Sequence, residues 1–159
     1  MGPVGHAAIS TGIGVGVWAA TGSPAALPAA LATGVFNDLD HLLDYYVWHR
    51  TRDRRFCFYL FHAWEYTIAG LVLTAFVWRS PIPIALVLGH LGHMLTDQSV
   101  NRPVNPFSYF LTYRAINRFR YERFFPDRGA TLHSNLSRNI PFWRFTGPLL
   151  SRSAPGEGK

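Results

Sequence analysis

The sequence predicts an all-α fold: an integral membrane bundle of about four short transmembrane helices, followed by a basic, aromatic, interfacial C-terminal helix. Three observations predict it. Long apolar runs carry no charge, beginning with residues 7–36. Ser23–Pro24 and Ser80–Pro81 each open a new apolar run, as a capping residue followed by proline at the first helical position does. The basic residues are also lopsided. If four helices span, Arg50, Arg52, Arg54, Arg55 and every basic residue from Arg102 to Lys159 lie on one side, and only Arg79 lies on the other. That asymmetry is the positive-inside pattern and puts both termini in the cytoplasm.

Taken in order, the first helix is expected over about 4–20 and the second over about 24–48. A basic turn, "HRTRDRRF", follows. The third helix is expected over about 56–79, ending at Arg79, and the fourth over about 81–98. A seventeen-residue helix covers roughly 25 Å, at the low end for crossing a bilayer. A helical bundle with an apolar core in water is the alternative, and charge asymmetry favours the membrane. Residues 101–150 mix aromatics with arginines. Phe107, Phe110, Leu111, Arg114 and Arg118 follow helical spacing, as in a helix lying on a membrane surface with arginine heads toward phosphates. The same helix capping the bundle is the structural alternative. Residues 151–159 read as disordered.

A chain of 159 residues implies one domain. Charged residues make up 15%, against about a quarter in a typical soluble domain. The net charge is +6, and Lys159 is the only lysine among fifteen basic residues. Such a balance suits an anionic membrane surface or nucleic acid. The expected partners are membrane lipid and its anionic headgroups, contacted by Arg50, Arg52, Arg54, Arg55, Arg114 and Arg118. No nucleic-acid partner is expected, because the membrane surface explains the same residues. One cysteine, Cys57, excludes an intramolecular disulfide and reads as a small buried hydrophobe. No signal-peptide cleavage pattern is evident.

The informative residues are the polar ones inside the apolar runs. His6 begins the first. "NDLDHLLD" puts Asn37, Asp38, Asp40, His41 and Asp44 in the second. "FHAWEY" puts His62 and Glu65 in the third, and "LGHLGHMLTD" puts His90, His93 and Asp97 in the fourth. Unpaired polar groups in such surroundings cost several kcal/mol each, on the order of a lost hydrogen bond or more. Asp38 and His41 share a helix face by i,i+3 spacing. His62 and Glu65 do the same, and His90, His93 and Asp97 form one stripe. An up-down bundle brings all four sets to one level. Imidazoles and carboxylates converging in a dry site suit a divalent transition metal. Candidate ligands are His6, Asp38, His41, His62, His93 and Asp97, with His90 and Asn37 behind them. The set suits one or two ions, zinc first, with manganese or iron as alternatives. A lone His on an apolar helix is more often a satisfied core residue, and Asp44 could pair with the arginine turn. A buried ion-pair or proton-relay network would use the same residues.

The order of motifs resembles the YdjM-like family of bacterial inner-membrane metal-dependent hydrolases. It runs from an early His6, through D-x-D-H in "NDLDH" and His62 in "FHAWEY", to H-x-x-x-D from His93 to Asp97. The resemblance covers about residues 1–100. It implies multi-pass residence in the inner membrane, a membrane-embedded metal centre and hydrolytic chemistry. Two departures stand out: Asn37 replaces the family's proline, and Glu65 stands where a second histidine is usual. "RGATLHS" at 128–134 looks like a displaced piece of the middle motif, with His133 a weak candidate.

The expected chemistry is hydrolysis of a phospholipid or a lipid-linked phosphate or ester near the cytoplasmic leaflet. Metal-activated water would attack, with Asp40 or Glu65 as general base. The rival readings are a membrane metal-binding or transport protein, a di-iron lipid oxidase and a tail that binds RNA or a regulatory protein. "HLGH" lacks the trailing histidine pair of the oxidases, and the far half of the helices offers almost no ionisable residue for transport.

Overall fold

A computed structural model of the chain describes residues 2–51 and 55–125. Six α-helices order these described residues: α1 (Pro3–Thr21), α2 (Ala26–Phe36), α3 (Asp40–Thr51), α4 (Trp64–Phe76), α5 (Pro81–Val100) and the short α6 (Leu111–Ile116). Short 3-10 turns occupy Asn37–Leu39, Pro106–Tyr109 and Tyr121–Arg123. The described residues contain no strand, only an isolated antiparallel bridge between Phe56 and Arg120.

The all-helical expectation agrees with this architecture; the membrane expectation does not. No helix among the described residues is long and apolar enough to cross a membrane. The transmembrane bundle and the multi-pass inner-membrane location are therefore corrected. The expected second helix is two: α2 has 11 residues and α3 has 12, broken at the Asn37–Leu39 turn. The expected third helix begins eight residues late, because 56–63 is an irregular loop. Its helical part, α4, has 13 residues and spans only about 20 Å at 1.5 Å per residue. The longer helices α1 and α5 carry His6, Ser10, His90, His93 and Asp97 on their buried faces.

The packing unit is α1, α2 and α5, which meet over small residues. Ala26, Ala29, Ala30, Ala85 and Val17 form one apolar cluster. Gly89 of α5 lies against the backbone of Ala30, so closely that a methyl group there would overlap its carbonyl. Glycine is thus the residue that lets these backbones approach. Pro81 sits at the start of α5 after Ser80, although the Ser80 hydroxyl makes no capping bond. Ser23–Pro24 precedes α2 by a turn rather than capping it. Gly22 ends α1 in the left-handed conformation, its N–H donating to the Trp18 carbonyl.

The described part of the basic, aromatic segment, 101–125, caps the bundle, and 126–150 lie outside the described residues. Tyr109, Tyr121, Phe124 and Phe125 bury against Cys57, Tyr59 and Met94. The long interfacial helix expected there is replaced by α6 and two 3-10 turns. Arg114, expected at a membrane surface, is completely buried. Arg50, Arg55 and Arg118 are exposed. Arg52, Arg54, His133 and the 151–159 segment lie outside the described residues.

Candidate metal centre

Three α-helices (α1, α3 and α5), the 3-10 turn at Asn37–Leu39 and one loop deliver the site. The turn at Asn37–Leu39 holds Asp38 and sets Asp40 and His41 at the start of α3, facing the α5 stripe of His93 and Asp97. His6 comes from the first turns of α1, and His62 from the loop before α4. His6, His62, His93 and Asp97 are almost fully buried; Asp38 and His41 keep side-chain exposures of 11% and 17% and form the open side.

The donor atoms crowd together. His6 Nε2 lies 3.2 Å from Asp97 Oδ1. His93 Nε2 lies 3.7 Å from both Asp38 Oδ1 and Asp97 Oδ2. His62 Nε2 lies 3.4 Å from both Asp38 Oδ1 and Asp97 Oδ2, and His41 Nε2 lies 3.5 Å from Asp38 Oδ1. Donors around a tetrahedral zinc are separated by roughly 3.3 Å, given ligand distances near 2.0–2.1 Å. Two groups have ligand atoms all within 4.8 Å of one another: His6, Asp38, His93 and Asp97; and Asp38, His41 and His62. This buried His/Asp cluster could hold a metal ion.

The tautomers follow from the hydrogen bonds. His93 Nδ1 is 2.9 Å from the Gly34 carbonyl, which can only accept, so Nδ1 carries the proton. His62 Nδ1 is 2.9 Å from Asp40 Oδ2 and donates to it. Each ring therefore turns its Nε2 inward, and the two Nε2 atoms stand 2.9 Å apart. Neutral rings so fixed present two lone pairs to each other, which a proton or a cation must relieve. His6 stacks on His93 at 3.9 Å, its Nδ1 buried without a hydrogen-bond partner among the described residues. Asp38 Oδ2 and Asp40 Oδ1 are likewise buried without a hydrogen bond among the described residues.

In the absence of metal, the charges shift accordingly. Burial raises the Asp97 and Asp38 pKa values, but the neighbouring histidines outweigh it and hold both carboxyls well below their usual range. Burial lowers the His62 pKa, but Asp40, Asp38 and Asp97 raise it well above the usual imidazole value. His93 goes the other way, down to about 3, through burial and the charge on His62. One protonated ring, His62, then hydrogen-bonds to a neutral one.

The loop that carries His62 is clamped on both sides. Asp40 Oδ2 accepts from the Phe61 amide at 2.8 Å and the His62 amide at 3.3 Å. Asp44 accepts from the Phe58 and Tyr59 amides at 2.7 and 3.0 Å. Arg114 Nη2 donates to the Tyr59 and His62 carbonyls at 2.9 and 2.8 Å. These bonds hold Tyr59 at a φ of +43°, a conformation unfavourable for a residue with a side chain.

The structure brings together all six expected ligands and Asp40. His90 stands behind them. Its Nε2 donates to the Phe61 carbonyl at 3.0 Å, which leaves Nδ1 to accept from the Thr67 hydroxyl at 2.6 Å. Asn37 is buried beside Asp38 in sequence, its Nδ2 without a partner among the described residues. Glu65 is elsewhere. Its carboxylate accepts from the Leu111 and Thr112 amides at 2.9 and 2.8 Å and from the Thr112 hydroxyl at 2.8 Å, so it caps the N-terminus of α6. Asp44, expected to pair with the arginine turn, binds backbone instead. Sequence reasoning missed three supports: the Gly34 carbonyl, Thr67 and Arg114. Only Arg114 left a signal, a charge on the apolar stripe of Phe107, Phe110 and Leu111.

No protein-family model, no curated protein and no solved structure matches the chain. The likeness to the YdjM-like hydrolases thus rests on the motifs alone.

Proposed function

We propose that the protein is a metal-dependent hydrolase acting on a phosphate ester or carboxylic ester. The observation that carries this reading is the pair of Nε2 atoms of His62 and His93, which stand 2.9 Å apart while the Nδ1 protons of both rings are committed outward. Imidazole and carboxylate donors together favour zinc, with manganese or iron satisfied by the same set. A divalent metal there supplies a water of pKa near neutrality and polarises a phosphoryl or carbonyl oxygen.

The protein's own residues do the rest. Asp40 fixes the His62 tautomer through Nδ1, as carboxylates behind ligating histidines do. Its other oxygen, Oδ1, makes no hydrogen bond among the described residues, with His41 Nδ1 3.9 Å away, and accepts the proton released as water attacks. A new bond forms from the water oxygen to phosphorus or carbonyl carbon, and the bond to the leaving alkoxide breaks. Glu65, with both carboxylate oxygens engaged by α6, is not the base. The part-exposed side formed by Asp38 and His41 admits the substrate. The exposed arginines, Arg50, Arg55 and Arg118 among them, favour an anionic one.

The test is hydrolysis of chromogenic phosphate mono- and diesters and of a carboxylic ester by the purified full chain. Each assay is run after chelation and again after restoring zinc, manganese or iron. Turnover that is lost on chelation, returns with metal and disappears in His93→Ala supports the reading. Absence of metal-dependent turnover on all three ester classes rejects it.

A further inference from the structure

The six ligands divide into two sets that share one residue, and this division bears on how many ions the protein holds. The inference rests on the metal-centre reading above and deepens it. We propose that the site is dinuclear, with Asp38 bridging two divalent cations. One ion is held by His6, His93 and Asp97, the other by His41 and His62.

Geometry supports the division. Within the first set, the contacts between donors are 3.2 Å for His6 with Asp97 and 3.7 Å for His93 with Asp97 and with Asp38. Within the second, His41 and His62 lie 3.5 and 3.4 Å from the same Asp38 oxygen. Both sets span a single coordination shell, and only Asp38 belongs to both. Its two oxygens are in different states: Oδ1 sits among three imidazoles, while Oδ2 is buried without a hydrogen-bond partner among the described residues. A bridging carboxylate uses one oxygen on each metal, and ions so bridged sit about 3.5–4 Å apart.

Charge points the same way. Asp38, Asp40 and Asp97 lie in or against the site, and with a bound hydroxide they carry four negative charges. One dication leaves a net negative charge in a largely buried site; two balance it. Burying uncompensated charge is costly, so the two-ion state is the one the site is built to hold. His6 supplies an independent observation. It is 1% exposed on an apolar helix, and its Nδ1 has no hydrogen-bond partner among the described residues. Two ions give this ring a ligand's role that a single ion between His62 and His93 would not.

The test titrates metal-stripped full-length protein with cobalt(II) or manganese(II), reading bound metal by elemental analysis after buffer exchange. Wild type is expected to take two equivalents. His6→Ala and His41→Ala are each expected to take one, with unchanged helical circular dichroism. Manganese-loaded wild type should also show the spectrum of a spin-coupled pair, a readout that needs no variant. Saturation at one equivalent, or uncoupled manganese at full loading, overturns the dinuclear site while leaving a mononuclear centre standing. No bound metal at all overturns the dinuclear site and the metal reading together.

Discussion

Arg114 Nη2 donates to the backbone carbonyl of His62 at 2.8 Å, joining the aromatic cap to the metal-site loop through a fully buried guanidinium. The same nitrogen holds the Tyr59 carbonyl. Removing it strands two carbonyls, each costing about 1–3 kcal/mol when buried and unpaired, partly offset by the relief of burying a cation. Arg114→Met is expected to lower stability by about 1–3 kcal/mol in urea unfolding and to weaken metal binding about tenfold. Arg114→Lys, which keeps a donor and the charge, should recover part of both.

The two carboxylates expected as bases should separate cleanly. Asp40→Asn keeps the shape but weakens the grip on His62 Nδ1. Metal affinity is expected to fall about 10- to 100-fold, the usual effect of losing a partner behind a ligating histidine. Glu65→Ala removes a cap from α6 and is expected to cost about 0.5–2 kcal/mol in stability. Its metal affinity should stay within error of wild type in the same titration.

Acidity should tune the metal-free protein through His62. Its folded pKa lies well above the unfolded value of 6.5, because Asp40, Asp38 and Asp97 outweigh the effect of burial. Protonation therefore favours the fold. That contribution is complete below the unfolded pKa and is lost as pH rises through the folded one. Metal-free wild type is expected to lose stability as pH rises above the unfolded value of 6.5, by up to about 1.4 kcal/mol per pH unit. His62→Gln should flatten the decline. Metal displaces the same proton, so binding should release it to the buffer, measurable by titration in buffers of different ionisation enthalpy.

Helix spacing should also matter to the site. A methyl group on Gly89 would meet the Ala30 carbonyl and lie 2.7 Å from Thr33 Oγ1. Gly89→Ala is expected to cost about 1–3 kcal/mol, as over-packed positions do, and to weaken metal binding by parting α2 from α5. Gly12, in the interior of α1, has nothing within 4 Å of such a methyl group. Gly12→Ala should stabilise by about 0.5–1 kcal/mol on helix propensity alone.

The site was legible in the sequence because each ligand interrupts an apolar run, and such a residue needs a partner. His6, Asp38, His41, His62, His93 and Asp97 all follow from that rule. The membrane setting does not, and α4 shows why. Ile68 and Val72 are about half exposed and Phe76 is 75% exposed, so hydropathy along this helix tracks neither a core nor a span of sufficient length. Residues 56–63 were unreadable for a different reason. Several of their backbone bonds go to Asp40, Asp44, His90 and Arg114, partners 14 to 55 positions away. Local propensity cannot register contacts at that separation. Glu65 misled because its i,i+3 spacing from His62 assumes one continuous helix, whereas α4 begins only at Trp64.

The most direct test of the metal centre is elemental analysis of the full chain purified without chelators, with His62→Ala and His93→Ala prepared alongside. Stoichiometric zinc, manganese or iron in wild type, lost from both variants, is the expected result. A wild type free of transition metal, or a metal content that both substitutions leave unchanged, would contradict it. The 2.9 Å contact between His62 and His93 would then stand as a shared proton in a buried polar network.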